Sequence, residues 1–313
     1  MRIWITGTHG FIGRHLAAWL SRQGHEVAGI GHGAWPQSEA AAWGVRRWLN
    51  GEIHSSNLQQ LAREGGAPDH VFHLAGGSSV GAAIANPRED FTRTVATTAE
   101  LLEWMRLEAP KARIIAVSSA AVYGSGHSGH IREDQTHRPF SPYGYHKLMM
   151  ENLCRSYAAS YGLSAVVLRL FSVYGSWLKK QLLWDMCSRL SSNKDELKLG
   201  GTGEELRDWT DVRDVVRALE LMMDFSFDSG ATPIINAGSG NATSVSRIVE
   251  LVLKCWPTAA GVTFSGESRP GDPYSLVADG SMLQAMGFRW NIPVDTGVHD
   301  FVQWYLQYSR SGV

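Results

Sequence analysis

The chain has 313 residues, 44% of them hydrophobic and 19% charged. At about 150 residues per domain this suggests two domains, or one large α/β domain with an appendage, and the ordinary composition excludes disordered, collagen-like and coiled-coil classes. Lys and Arg number 29 against 30 Asp and Glu, a formal net charge of −1. Nucleic-acid binders usually carry a basic surplus, so no nucleic-acid partner is expected.

The three cysteines, Cys154, Cys187 and Cys255, are far apart and form no CxxC pair. This argues against a disulfide framework or a thiolate zinc site and fits a reducing compartment. No apolar run long enough for a secretory signal precedes the first glycine turn, and no uninterrupted stretch approaches the roughly 18 apolar residues of a membrane span. We therefore expect a cytoplasmic chain with no membrane partner.

In chain order, Arg2–Thr6 reads as a strand and Phe11–Arg22 as a helix with Ile12, Leu16 and Leu20 on one face. Strands follow at Glu26–Ile30 and Val71–Ala75, then a helix at Pro87–Leu107, a strand at Arg113–Ser118, a helix at Tyr143–Tyr161 and a strand at Ala165–Leu170. Such alternation predicts βαβ units and a doubly wound parallel sheet of the Rossmann type. After about residue 175 the elements shorten. Gln181–Ser191, Asp211–Phe225, Ser244–Trp256 and Val294–Tyr308 read as helices, Pro233–Asn236 as a strand, and Asn193–Gly203 as a polar Gly-rich stretch. The expected organisation is a dinucleotide-binding domain over 1–175, with later segments returning to it, and a smaller mixed α/β substrate lobe over 176–313.

Gly7-Thr8-His9-Gly10-Phe11-Ile12-Gly13 follows the first strand directly and opens the first helix. Glycines at these positions allow a sharp turn, a close approach of backbone to pyrophosphate, and tight helix–strand packing. The helix N-terminus then offers free N–H groups to the phosphates. At the end of the second strand an acid would hold the ribose 2′-hydroxyl of NAD. The sequence there is Ala28-Gly29-Ile30-Gly31-His32-Gly33, with no acid. His32 or the pair Arg46-Arg47 could meet a 2′-phosphate; alternatively this is a plain glycine turn and Glu52, or nothing, handles the ribose. We read the cofactor as NADP ahead of NAD.

Ser118-Ser119 ends the Arg113–Ser118 run, and Tyr143 and Lys147 lie four apart on a predicted helix. At that spacing the two share a face. A lysine ammonium beside a phenol favours the phenolate, so Tyr143 is expected to titrate lower than usual and to act as acid or base on a substrate oxygen, with a serine hydroxyl bonded to that oxygen.

These motifs resemble those of extended short-chain dehydrogenases/reductases of the nucleotide-sugar epimerase, dehydratase and reductase group. The resemblance covers essentially the whole chain. It is carried by the glycine loop, His73-Leu74-Ala75-Gly76, Ser119, the Tyr143/Lys147 pair, and Leu168–Gly175, which is similar to RxFNVYG. Arg207–Asp214 is similar to RDFxxVxD, and Asn236–Gly240 and Arg269–Asp272 also fit. The resemblance implies a catalytic triad of Ser119, Tyr143 and Lys147. It implies a cofactor held by Gly7, His9, Gly10, Phe11, Ile12, Gly13, His32, Leu74, Ala75, Gly76, Tyr143 and Lys147. Arg207 and Arg269 would hold the diphosphate of a nucleotide sugar, since guanidinium forks suit that group. Ser78 and Ser172 complete the candidate substrate-binding set.

Several positions depart from the pattern. The Asp-Glu pair of the family's dehydratases is Ala120-Ala121 here, which leaves no acid to eliminate water. The family's Asn residues are Thr94 and Ser172, and Ser176 stands for the usual Pro. Trp177, Lys179, Lys180 and Trp184 either shape an unusual pocket or pack into the core. His127, His130 and His137 lack carboxylates at ligand spacing, and no metal site is expected.

The machinery serves two reactions at sugar C4: reduction of an NDP-4-keto-6-deoxyhexose, our first reading, or NDP-sugar 4-epimerisation, the alternative. A non-catalytic NAD(P) sensor is a third. The helices Pro87–Leu107 and Tyr143–Tyr161, with Leu101, Leu102, Trp104, Met105, Leu148, Met149 and Leu153, carry more apolar surface than one core needs, which predicts a homodimer through four helices.

Overall fold

The structure, a computed structural model, describes residues 1–192, 196–258, 261–267 and 273–310. The chain divides into two compact units. The first comprises Met1–Tyr123, Thr136–Leu170 and Val216–Ile235, and the second Gly124–Gln135, Phe171–Val215 and Asn236–Val313.

The first unit is built on strands β1 (Arg2–Thr6), β2 (Glu26–Gly31), β3 (Val45–Asn50), β4 (His70–His73) and β5 (Arg113–Ser119), continued by Ser164–Leu170 and, at the edge, Ile234–Ala237. The spatial order is β3-β2-β1-β4-β5, then Ser164–Leu170, then Ile234–Ala237. All pairings from β3 to Ser164–Leu170 are parallel. Ile3, Ile5, Ile114, Ile115, Val166 and Val167 are fully buried, as expected for strands covered on both faces. From β1 the chain proceeds to β2 and β3 on one side and to β4 and β5 on the other. This reversal puts the ends of β1 and β4 at a topological switch point, where ligands of open α/β sheets bind. The doubly wound fold expected from the alternation is the fold observed.

The helices of this unit include α1 (Phe11–Arg22), α2 (Gln37–Ala42), α3 (Ser55–Gly65), α4 (Val80–Ala85), α5 (Pro87–Phe91), α6 (Thr97–Glu108) and α7 (Pro142–Tyr161). The expected continuous helix over 87–107 is divided into α5 and α6 by a π-helical turn, Thr92–Ala96. Threonine hydroxyls explain the wider turn: Thr92, Thr97 and Thr98 each donate to the carbonyl four residues back and loosen the local ladder. In α7, Ser141 accepts from the Gly144 N–H, Pro142 opens the helix, and Gly162 closes it with φ +71°.

Leu101, Leu102, Trp104 and Met105 are at most 3% exposed and pack in the core with Trp4, Met150 and Cys154. The Trp104 ring stacks on Trp4 at 4.9 Å. These four residues therefore face the core rather than a partner, while Leu107 on the same helix is 59% exposed. Leu153 also packs against this core.

In the second unit, Ala242–Ser244, Leu206–Asp211, Ser275–Ala278 and His130–Ile131 form a sheet in that order, and Ser172–Tyr174 also pairs with Leu206–Asp211. The polar Gly-rich stretch contains a strand, Glu196–Leu199, which pairs in parallel with Gly261–Phe264 and buries Leu197 and Leu199. Trp177 and Trp184 join Trp304, Tyr305 and Tyr308 of the Val294–Arg310 helix in an aromatic cluster with ring centroids 5.1–6.1 Å apart. Lys179 donates to the Tyr308 hydroxyl at 2.6 Å. Among the described residues no helix is long and apolar enough to cross a membrane.

Candidate active site

The glycine loop leaves β1 and enters α1 with the geometry its sequence demands. Gly7 has φ +71°, a left-handed conformation that favours glycine. A Cβ on Gly13 would lie 2.4 Å from the Gly7 carbonyl oxygen, and one on Gly10 3.0 Å from the same atom. Gly10 caps α1 with no side-chain hydrogen bond, and the first turn carries no acid. The helix thus begins with backbone N–H groups and a positive dipole end, approached closely only because side chains are missing, which fits a dinucleotide pyrophosphate. Phe11 and Ile12 are half-buried in this first turn.

His9 packs against Trp35 with tilted rings at 4.9 Å, and its Nδ1 lies 3.4 Å from the His32 carbonyl oxygen. Burial pushes the His9 pKa down. His32 is exposed beyond the end of β2. Arg46 and Arg47 are not near it: Arg46 pairs with Glu26 at the amino end of β2, and Arg47 pairs with Glu64. The pair proposed from sequence as a 2′-phosphate reader is therefore engaged at the opposite end of the strands.

Leu74, Ala75 and Gly76 continue β4 as a loop. The Gly7 position is packed against it, 3.0 Å separating a Gly7 Cβ from the Ala75 nitrogen. The Gly77 N–H donates to Thr94 Oγ1 at 2.8 Å, so the threonine found where the family has Asn holds this loop onto the π turn. Ser78 is exposed in the same loop. His73, fully buried, bonds Thr6 and Thr98 through its two ring nitrogens. Burial, aided by Lys147, pushes its pKa down to about 3, so it is a neutral core residue.

Ser119 ends β5 and Tyr143 and Lys147 occupy the first turns of α7. The three come together. The Ser119 hydroxyl accepts from the Ala121 N–H at 3.2 Å and stands near enough to the Tyr143 phenol to favour its ionised form. Lys147 Nζ lies 6.0 Å from the Tyr143 ring centroid, donates to the Val117 carbonyl at 2.9 Å, and is 3.4 Å from a Cβ built on Gly76. The electrostatics differ from the sequence expectation. Burial raises the Tyr143 pKa; the Ser119 hydroxyl opposes this and the charge of Asp90 adds to it. Burial also lowers Lys147 to about 8, against the carboxylates of Asp90 and Glu151. Desolvation is thus the largest cause of both shifts.

Three neighbours were not anticipated. Glu151, one turn beyond Lys147, is fully buried, accepts from Ser118 at 2.6 Å and pairs with Arg169 at 2.7 Å. Asp90 pairs with His146 at 2.6 Å. Glu151 had a visible signal, its i+4 spacing from Lys147; Asp90 and His146, 56 residues apart, had none.

In the second unit, Ser172 lies opposite Trp209 in the paired strands, two residues from Arg207. The Arg207 guanidinium donates to the Leu206 carbonyl at 2.8 Å. Arg269 lies outside the described residues. The three loop histidines are separately engaged, His127 with Gln135, His130 with the Gly240 carbonyl and His137 with Arg169. Among the described residues no three His, Cys, Asp or Glu side chains are grouped to hold a metal ion.

The profile of the NAD-dependent epimerase/dehydratase family matches residues 3–238. A UDP-glucose 4-epimerase of Azospirillum brasilense is 29% identical over 99% of this chain and 92% of that protein. A UDP-glucuronate 4-epimerase of Arabidopsis thaliana is 28% identical over 97% of this chain and 76% of its own length. Among solved structures, MoeE5 in complex with UDP-glucuronic acid and NAD superposes with a TM-score of 0.86 at 30% identity, covering 100% of both chains. The glycine loop, the Ser119–Tyr143–Lys147 cluster and this match over three quarters of the sequence lead to one assignment: the chain belongs to the NAD-dependent epimerase/dehydratase family, within the extended short-chain dehydrogenases/reductases.

Proposed function

We propose that the protein is an NAD-dependent 4-epimerase of a UDP-activated hexose or hexuronic acid. The observation that carries this reading is the convergence of Ser119 at the end of β5 with Tyr143 and Lys147 one turn apart on α7, in a chain whose relatives are UDP-glucose and UDP-glucuronate 4-epimerases. Epimerisation requires a proton to leave and return at one sugar oxygen. Tyr143 does both, and Ser119 donates a hydrogen bond that orients the oxygen. Lys147 supplies positive charge beside the phenol and a donor for the nicotinamide ribose. The Gly7–Gly13 loop would hold the pyrophosphate, and Leu74–Gly76 would wall the dinucleotide. When bound, NAD supplies hydride acceptance and return at the sugar carbon. Arg207 and Arg269 would grip the substrate diphosphate, and Ser78 and Ser172 the sugar.

NAD is preferred to NADP because Arg46 and Arg47 are paired elsewhere and the comparable structure carries NAD. The 4-keto-6-deoxyhexose reductase reading rested mainly on the missing acid after β2 and finds no support among the relatives. Ala120 and Ala121 leave no carboxylate for dehydration. Incubation of the purified protein with UDP-glucose or UDP-glucuronate, with no reductant added, should yield the C4 epimer of one of them, seen by NMR. Steady consumption of NADPH with an NDP-4-keto-6-deoxyhexose, and no epimerisation, would establish the reductase instead.

The protein is further proposed to be a cytoplasmic homodimer. Its three cysteines are free thiols, fitting a reducing compartment. The contact would use Met149, expected from the sequence, together with three residues that were not: Ile84 of α4, Phe91 of α5, and Tyr145 of α7, the four being 42–60% exposed. Such an apolar set suits an isologous helical interface. Sedimentation should give a dimer at micromolar concentration, and Met149→Glu should shift it towards monomer. A monomeric wild type overturns the proposal.

A further inference from the structure

Between Tyr143 and Lys147 on α7 stands His146, a residue with no part in the chemistry above. It is buried, and its Nδ1 lies 2.6 Å from Oδ2 of Asp90 on α5, itself 5% exposed. The Phe91 ring closes over the imidazole edge-on at 5.5 Å. The other Asp90 oxygen rests on the backbone of Gly77, where a built Cβ would come within 1.7 Å of it. One residue earlier, a Cβ on Gly76 would be 3.4 Å from Lys147 Nζ. A buried carboxylate and the active-site ammonium therefore face adjacent glycines of one loop.

A carboxylate taken out of water is costly unless it is paired, and His146 supplies that pairing here, fixing the anion beside the active site. The other charged and titratable groups around it are accounted for. On α7 these are Tyr143, Lys147 and Glu151, and Glu151 is held by Arg169. His73 contributes from β4 as a neutral ring. Glu89 and Arg93 pair with each other at the surface, and Arg88 is exposed. The negative field of Asp90 opposes proton loss from both Lys147 and Tyr143.

We propose that Asp90, locked in place by His146, is a positioning residue that sets the pH window in which the Tyr143–Lys147 pair works. The proposal rests on the reading of Tyr143 as proton carrier. Its physical content is that one buried anion holds protons on two neighbours at once. Neutralising it moves both titrations the same way, to lower pH, by roughly one pH unit for charges a few ångströms apart.

The test uses Asp90→Asn, which keeps the shape and removes the charge. With NAD-loaded enzyme and the accepted UDP-sugar, both limbs of the kcat–pH profile should move about one unit towards acid, with KM little changed. A uniform loss of kcat with unmoved limbs would make Asp90 merely structural and overturn the proposal. A second readout needs no turnover. The ionisation of Tyr143, isolated by ultraviolet difference absorbance against Tyr143→Phe, should occur at lower pH in Asp90→Asn than in wild type. Equal titrations overturn the proposal even if the substrate assignment fails, so the two failures remain distinguishable. Asp90→Ser, smaller and also neutral, should give the same displacement if the amide is not accommodated against Gly77.

Discussion

Replacing Tyr143 by phenylalanine should lower turnover by about 10²–10⁴-fold, the usual worth of a positioned acid or base. The substitution keeps the ring and its packing on α7. It removes the hydroxyl that stands beside Ser119 and that can both accept and return a proton at a sugar oxygen. The Gly7–Gly13 loop is untouched, so NAD should still bind. Ser119→Ala should cost less, since an orienting donor is lost and the proton carrier stays. The wild-type profile should fall above about pH 8, because burial lowers Lys147 to about 8 and its ammonium is lost as pH rises through that value. Turnover of wild type and variant on the same UDP-sugar, with matched NAD occupancy, checks this. Near-equal rates would remove Tyr143 from the mechanism.

The parts of this site that could be read in the sequence are those fixed by local geometry. Gly7, Gly10 and Gly13 were legible because steric exclusion within a strand–turn–helix unit demands glycine at each. Tyr143 and Lys147 were legible because four residues make one helical turn. What depends on contacts across the fold was not. Asp90 reaches His146 from a helix 56 residues away, and no periodicity in either helix marks the pair. The sign of the Tyr143 shift was misjudged for the same reason: a lysine four residues on is visible in sequence, whereas the desolvation that is the largest cause of the shift comes from the surrounding fold. Leu101, Leu102, Trp104 and Met105 looked like surplus apolar surface because nothing local shows that α6 is enclosed on several sides. Strand β3 was passed over since Val45-Arg46-Arg47-Trp48-Leu49-Asn50 mixes charge with apolar residues, yet Val45 and Leu49 are buried beside β2. The choice between reductase and epimerase hung on one missing acid after β2, and the absence of one side chain constrains a cofactor only weakly.

Glu151→Ala should destabilise the fold by about 3–5 kcal/mol, the usual cost of leaving one partner of a buried ion pair uncompensated. Both side chains of the Glu151–Arg169 pair are 0% exposed. The pairing is a two-pronged fork: Arg169 Nε donates to Oε1 at 2.9 Å and its terminal nitrogen to Oε2 at 2.7 Å. Ser118 donates to the same carboxylate, and the guanidinium lies over the Tyr123 ring at 4.7 Å. Removing the carboxylate strands a cation and a hydroxyl in the core at once. Native stability is typically about 5–15 kcal/mol, so the loss would be a large share of it. Urea unfolding of wild type and variant measures this. The double variant Glu151→Leu with Arg169→Met should be less destabilised than either single one, because a buried pair replaced whole by apolar groups of similar volume is often close to neutral. A single-variant cost below about 1 kcal/mol would show that water or a rearranged partner reaches Arg169. The pair would then hold α7 to the sheet far less firmly than its geometry implies, and the alignment of Lys147, one turn earlier on the same helix, would need another source.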